Sequence, residues 1–309
     1  MDPIFDQFEQ GKVSTEYVLK ELANKKPKES NPNYCDMKES KALEELNDLI
    51  GLKDVKEIVE EILAVVMIQK IRKESGLKHE PLVSHMIFKG NPGTGKTTVA
   101  RLIGQIFSDI QLLEKGHIIE VERADLVGEY IGHTAVKVRE HIRKALGGVM
   151  FIDEAYSLCR GGKKDFGKEA IDALVKGMED YKEQFILILA GYTDEMDDFL
   201  RTNPGLKSRF PIHIDFPDYT LEDLLKIAEV MLEDREYTIS IGAKEKLTNI
   251  LKKHTKQGDI YSGNARLVRN IVEKSIRKQA LRLKTTKKFT RSDLITLKKQ
   301  DVMEGEENV

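Results

Sequence analysis

Apolar residues recur along this chain in two rhythms. Between 41 and 73 they fall three or four positions apart, at Leu43, Leu46 and Leu49, then at Val55, Ile58, Val59, Ile62, Val65 and Val66. That spacing lines one face of a helix, and Gly51 divides the run into two helices. Farther on, 84–88, 117–121 and 211–216 are strand-like and the unbroken apolar runs 148–152 and 185–190 read as buried strands, with helical patterns at 98–103, 135–145 and 168–181 between them. Strands alternating with helices imply α/β architecture, a central mostly parallel sheet flanked by helices. After Pro217 the strand signal stops, and 221–235, 243–254, 264–283 and 292–299 all carry helical periodicity. The expected organisation is an α/β domain at 41–217 and a small all-helical domain at 218–300. The flanks differ from both. Residues 1–40 are polar, with one helical pattern at 14–22 and a breaker-rich stretch at 25–33, and read as an extension and linker. Residues 301–309 are acidic and read as a disordered tail.

The first predicted strand runs into Gly90-Asn91-Pro92-Gly93-Thr94-Gly95-Lys96-Thr97, with Thr98 opening the next helix. This GxxxxGK[ST] pattern is a phosphate cradle: glycines let backbone N–H groups turn on a β-phosphate, Lys96 offsets charge on the β and γ oxygens, and the Thr97 hydroxyl is a Mg²⁺ ligand. ATP and Mg²⁺ are therefore the expected ligands. Some 55 residues later the run 149–152 delivers Asp153 and Glu154 to the C-terminal end of a parallel strand, where such sheets bind ligands. Asp153 is suited to hold the metal, directly or through water. Glu154 is suited to orient an attacking water, and this second carboxylate points to hydrolysis.

Bulk properties narrow the partners. The 309 residues are 40% hydrophobic, enough for a real core, and 33% charged with a net charge of −2. That balance gives no global pull toward nucleic acid or an acidic membrane. Two cysteines, Cys35 and Cys159, make no disulfide framework and fit a reducing cytoplasm, with Cys159 expected as a buried or half-buried packing residue. The start Met1-Asp2-Pro3-Ile4-Phe5-Asp6 is acidic and does not read as a signal peptide; the best apolar run, 58–68, is interrupted by Glu60 and Glu61 and falls short of the roughly 20 residues a membrane span requires.

The set GNPGTGKT, FIDEAY, AGYTDEM, NPGLKSRF and SGNAR, in this order, resembles the AAA+ ATPases, and more narrowly the branch that contains CbbX and stage V sporulation protein K. The resemblance runs from about Leu46 to Val272. It implies that Ile50-Gly51-Leu52 contacts the adenine and that the helical domain is a lid. Thr193 matches the polar sensor of the γ-phosphate, with Tyr192 its rival because the common asparagine is absent. Arg209 in Ser208-Arg209-Phe210 is similar to the arginine finger, with Arg201 a weaker candidate. Arg266 resembles the second sensor. The resemblance further implies a ring, a hexamer, in which Tyr130, Ile131 and Gly132 form a pore loop that grips an extended polypeptide, and segment 160–167 with Lys163 and Lys164 is a candidate second pore loop. Tyr130 and Ile131 sit between glycines with no evident core to join, as expected of a contact with a partner. The expected activity is an ATP-hydrolysing ring that remodels or threads a protein. A DNA-directed motor or loader and an ATP-gated scaffold with low turnover are the alternatives. The net charge and the Tyr130 loop weigh against the first, Glu154 against the second.

Overall fold

The computed structural model describes residues 40–78, 85–130, 132–160, 166–256, 263–286 and 288–303. The helical pattern expected at 14–22, and the linker at 25–33, lie outside them.

Helix α1 (Lys41–Asp48) starts at Ser40, whose Oγ accepts from the Leu43 N–H at 3.2 Å and donates to Asp109 at 2.6 Å, so one serine caps the helix and fastens it to α3 (Lys96–Asp109). Helix α2 (Lys53–Glu74) turns Val55, Val59, Ile62, Leu63 and Val66 inward and ends on Arg72 and Lys73, where the helix dipole favours cations.

Five strands form one sheet: β1 (Met86–Gly90), β2 (Ile118–Val121), β3 (Val149–Ile152), β4 (Ile186–Gly191) and β5 (Ile212–Phe216). Their order is β2-β3-β4-β1-β5 and every neighbouring pair is parallel. The central strands are continuous apolar runs because both faces are covered. Ile87, Met150, Ile152, Leu187 and Leu189 join one cluster with residues of α5 (His133–Ala145), α6 (Gly167–Asp180) and α7 (Thr193–Thr202). Alternate residues Met86, Phe88, Phe151 and Ile188 are equally buried and point to the opposite face. The single turns α4 (Arg123–Leu126) and α8 (Pro204–Lys207) precede α5 and follow α7. Each large side chain so buried contributes roughly 1.5–3 kcal/mol. His85, just ahead of β1, is buried between Phe185 and Phe210; its Nδ1 accepts from the Leu187 N–H at 3.0 Å, and burial pushes its pKa down to about 4.

The second domain packs α9 (Leu221–Glu233), α10 (Ile241–Lys256) and α11 (Asn264–Lys284) around Leu224, Ala228, Leu247, Leu251, Val268 and Ile271. A capping box between Thr220 and Asp223 starts α9. Two features depart from the sequence pattern. The segment expected as a helix over 292–299 stops at the end of α12 (Arg291–Ile295), and Thr296–Leu297 (β7) pairs in parallel with Thr238–Ile239 (β6), so this helical domain also carries a two-residue ladder. Residues 301 and 302, expected to open the tail, belong to the folded domain. Asp301 and Val302 are each 1% exposed; Val302 joins the domain core, and Arg282 Nε and Nη2 donate to the Asp301 carboxylate at 2.8 Å. The acidic residues 304–309 lie outside the described residues. No helix among the described residues is long and apolar enough to cross a membrane.

Candidate functional site

At the C-terminal edge of the sheet, Gly90 ends β1 with φ +151°, and a Cβ there would stand 2.3 Å from the Phe216 carbonyl oxygen, so only glycine lets β1 and β5 approach. The chain then turns through residues 91–95 into the N-terminus of α3, whose first-turn N–H groups and dipole suit an anion. Lys96 is buried, and its Nζ donates to the carbonyls of Gly90 (2.7 Å) and Asn91 (2.8 Å). Burial lowers its pKa, while the charges of Asp153 and Asp218 pull it back up. Thr94 is fully buried and its hydroxyl donates to the Asn91 carbonyl at 2.8 Å, so it shapes the loop from within. Thr97 is half-buried and Thr98 exposed in the first turn.

Asp153 and Glu154 follow β3 directly and are both exposed. The register Ile152↔Leu189 and Leu189↔Ile87 puts them on the same sheet edge as the loop. The Glu154 N–H donates to Asp153 Oδ1 at 2.9 Å, and Glu154 holds a left-handed backbone, φ 46° and ψ 44°. That conformation costs a side-chain-bearing residue about 1–2 kcal/mol. Thr193 opens α7 one residue after Tyr192, beyond the end of β4, and is exposed; the Tyr192 ring stacks on Tyr156 at 5.9 Å. Among the described residues no group of three or more His, Cys, Asp or Glu is placed to hold a metal. A cation at Thr97 and Asp153 would therefore complete its shell with phosphate and water oxygens, as Mg²⁺ does beside nucleotides. The positive-φ glycines 90, 93 and 95, the helix N-terminus and the buried Lys96 together fit a phosphate chain.

The second domain closes over this loop. Ala265 N–H donates to the Gly93 carbonyl at 3.1 Å, and a Cβ on Gly93 would lie 2.4 Å from the Gly263 carbonyl oxygen. Asn264 is 2% exposed; its Nδ2 donates to the Pro92 carbonyl (3.3 Å) and Asp218 Oδ1 (2.7 Å), and its Oδ1 accepts from the Tyr219 N–H (3.0 Å). Asn91 Nδ2 reaches the same Asp218 carboxylate at 3.0 Å. Arg266 is exposed in the first turn of α11. On the other side Leu52 and Tyr219 border Gly95, and the Tyr219 ring lies against Gly51, bringing the Ile50-Gly51-Leu52 segment to the loop.

The remaining candidates lie elsewhere. Arg209 donates to its own chain, to the Gly205 carbonyl at 2.7 Å and to Glu179 of α6. Arg201 makes only a loose 3.4 Å pair with Asp198. Tyr130 is 66% exposed, its ring edge-on to His133, and Gly132 turns with φ +83° into α5. Ile131 lies outside the described residues, as do residues 161–165 of the second candidate loop, with Lys163 and Lys164. Cys159 is exposed, contrary to expectation, because it sits at the end of a short 3₁₀ turn (Ala155–Cys159), where Asn203 Nδ2 approaches its Sγ at 3.4 Å.

The sequence model of the ATPase family associated with various cellular activities (AAA) matches residues 86–218, and that of the AAA lid domain matches 220–309. Stage V sporulation protein K of Bacillus subtilis is 56% identical over 264 residues, 85% of this chain and 82% of its own. The chain belongs to the AAA ATPase family. Within it lie further relatives. Protein CbbX of Cereibacter sphaeroides is 44% identical across 79% of each chain, and the chloroplastic ribulose bisphosphate carboxylase/oxygenase activase of Cyanidioschyzon merolae is 41% identical across 87% of this chain and 94% of its own. The FIGL-1 AAA domain in complex with ADP superposes with a TM-score of 0.55 at 18% identity, covering 84% of this chain and 85% of that one, a likeness of fold.

The protein is thus a nucleotide-binding ATPase of the branch holding the sporulation protein, CbbX and the chloroplastic activase, and the second domain is its lid. Three residues that sequence reasoning passed over join the loop to the lid: Asp218, Tyr219 and Asn264. The pattern SGNAR drew attention to Arg266 alone. The signal that could have found Asn264 was an asparagine after glycine at a helix start, a residue that tolerates the left-handed φ of 44° it adopts.

Proposed function

We propose that this ATPase assembles with copies of itself into a ring, a hexamer, and uses ATP hydrolysis to pull on a protein drawn into the central pore. The observation that carries this reading is Tyr130, a large aromatic held 66% exposed on a loop that ends at the left-handed Gly132. An aromatic ring offers large contact area at low entropic cost and grips extended chains with little sequence preference. Gly90 to Thr98 hold the phosphates; Thr97 and Asp153 hold Mg²⁺, which supplies charge neutralisation when bound. Glu154 orients and polarises the attacking water, Thr193 and Arg266 read the γ-phosphate, and Arg209 reaches a neighbour's site. The substrate is a protein, in keeping with the name of one relative, an activase of ribulose bisphosphate carboxylase/oxygenase. The low cysteine content, two in the chain, supports a cytoplasmic setting.

The test compares ATP turnover, native mass and unfolding of a tailed fluorescent protein for wild type, Tyr130→Ala and Glu154→Gln. The expected result is a ring in which Glu154→Gln abolishes turnover and Tyr130→Ala keeps turnover but loses remodelling. A monomer indifferent to Tyr130, or turnover stimulated only by added DNA, would sink the reading.

A further inference from the structure

Glycine-rich phosphate loops have a weakness that follows from their composition. Gly93 and Gly95, both at positive φ, leave the intervening peptide planes with little steric reason to prefer one orientation. A flipped plane would aim a carbonyl oxygen, not an N–H, at the phosphate. Something outside the loop has to choose.

In this structure five successive loop carbonyls are each taken by a donor. Lys96 Nζ takes Gly90 and Asn91, Asn264 Nδ2 takes Pro92 at 3.3 Å, the Ala265 N–H takes Gly93 at 3.1 Å, and the Tyr219 hydroxyl takes Thr94 at 3.3 Å. The last three donors belong to the lid or the hinge leading to it. Across a planar trans peptide the C=O of one residue and the N–H of the next point in opposite directions. Holding the carbonyls of Pro92, Gly93 and Thr94 from the lid side therefore turns the N–H groups of Gly93, Thr94 and Gly95 the other way, as the cradle requires. Lys96 cannot serve both ends: once it turns to a phosphate, the Thr94 hydroxyl still holds the Asn91 carbonyl, and the lid and hinge donors are what remains to orient Pro92, Gly93 and Thr94.

Asn264 is fixed for this task. It is buried, its amide is shared between Pro92 and Asp218, and its carbonyl oxygen is occupied by the Tyr219 N–H. Asp218 in turn holds Asn91. We propose that Asn264 is a positioning residue for nucleotide binding: through the Pro92 carbonyl and Asp218 it makes the docked lid the element that preorganises the phosphate-binding N–H groups. The inference rests on the assignment of residues 90–97 as the phosphate site. Preorganisation raises affinity by removing the cost of ordering the loop on binding, and linkage makes the effect reciprocal, so bound nucleotide tightens the lid.

The experiment measures affinity of the full chain for fluorescent ADP and ATP analogues, and the melting temperature without nucleotide, for Asn264→Gly, Lys96→Ala and the pair Asn264→Asp with Asp218→Asn. Asn264→Gly keeps the left-handed backbone without strain and deletes only the side chain. The expected result is affinity weaker by about tenfold, equivalent to about 1.4 kcal/mol, by the same factor for ADP and ATP because the loop acts below the γ-phosphate. The double variant restores the hinge contact with donor and acceptor exchanged but leaves the Pro92 carbonyl without its amide; its melting temperature should recover while its affinity stays low. Affinity in Asn264→Gly within twofold of wild type, loss for ATP alone, or full recovery of affinity in the double variant would each overturn the proposal. Lys96→Ala binding like wild type would overturn the phosphate-site assignment itself, a different failure from the other three.

Discussion

Arg209 offers a sharp separation between two roles, because their magnitudes differ by orders of magnitude. Within one chain its guanidinium pairs with Glu179 and the Gly205 carbonyl, at 33% and 60% side-chain exposure for Arg209 and Glu179. A pair that open to solvent is worth about 0–1 kcal/mol, so releasing Arg209 from Glu179 changes any equilibrium by no more than about fivefold. A guanidinium offered to a neighbour's transition state is worth roughly 10³–10⁵ in rate. If Arg209 merely braces α6, Arg209→Ala and Glu179→Ala lower steady-state ATP turnover by similar small factors. If it is the finger, Arg209→Ala loses at least about a thousandfold at saturating ATP while Glu179→Ala stays within about fivefold. Arg209→Lys then fails to rescue, since an ammonium cannot reproduce the planar fork. Mixing adds the decisive arm. Arg209→Ala subunits keep an intact Glu154, and Glu154→Gln subunits keep an intact Arg209, so a mixed assembly of two inactive proteins regains turnover when the arginine acts across an interface. Turnover of Arg209→Ala within tenfold of wild type, or no recovery on mixing, refutes the reasoning.

Two further outcomes follow from the lid. In Gly93→Ala the new Cβ meets the Gly263 backbone oxygen at 2.4 Å and sits at φ +73°, a strain of about 1–2 kcal/mol before the clash is relieved. Nucleotide affinity should fall tenfold or more and amide exchange in the first turn of α11 should speed up; unchanged exchange there would contradict the docked lid. At the other end of α11, burial pushes the Asp301 carboxyl up, but hydrogen bonds from Arg282 and the Lys298 N–H outweigh it and hold it below the usual value, and bonds from Thr290 and Lys298 hold Asp293 at about 2. Folded values below unfolded ones mean this stabilisation is complete above the ordinary carboxylate pKa of about 4 and is lost as pH falls through the lower folded values. Asp301→Asn should lower lid stability by about 3 kcal/mol near neutrality and flatten the acid limb of its melting profile, since it leaves Arg282 without its buried partner. An unchanged acid limb in circular-dichroism melts would show the pair to be immaterial.

What the sequence disclosed follows from what leaves a local trace. Strands β3 and β4 are buried on both faces, so each is an unbroken apolar run, β1 departs from that pattern at Lys89, and the expected bounds of all three lie within two residues of those observed. The loop 90–97 and the pair Asp153-Glu154 are contiguous, and their chemistry is written in residue type and spacing. Contacts between distant polar residues leave no such trace. Thr238 and Thr296 pair across 58 positions in strands of two residues, too short to show alternation. Asp301 reads as tail because it is charged and near the end, yet Arg282, nineteen residues earlier, compensates its burial. Asn264 and Asp218 meet across 46 positions, and a polar residue buried by a tertiary partner resembles any other polar residue at a helix start.

The same geometry explains how chemistry at the phosphates can be felt far away. Asn264 and the proposed γ-phosphate reader Arg266 share the first turn of α11, so both ends of the phosphate chain act on one point of one helix. That helix has 21 residues and is roughly 30 Å long, so a tilt of about 5° at its first turn moves its far end by roughly 3 Å. The far end does not flex independently: the Gln279 amide donates to the carbonyls of Asp293 (3.0 Å) and Leu294 (2.9 Å), Arg282 clamps Asp301, and Leu297 and Val302 sit in the core that α9, α10 and α11 share. A lid bound together this way turns as a body. Its outer surface, with Leu281 and Phe289 exposed, should therefore shift by a few ångströms if the loop carbonyls exchange their donors, and an apolar surface so moved would change which partner it can cover.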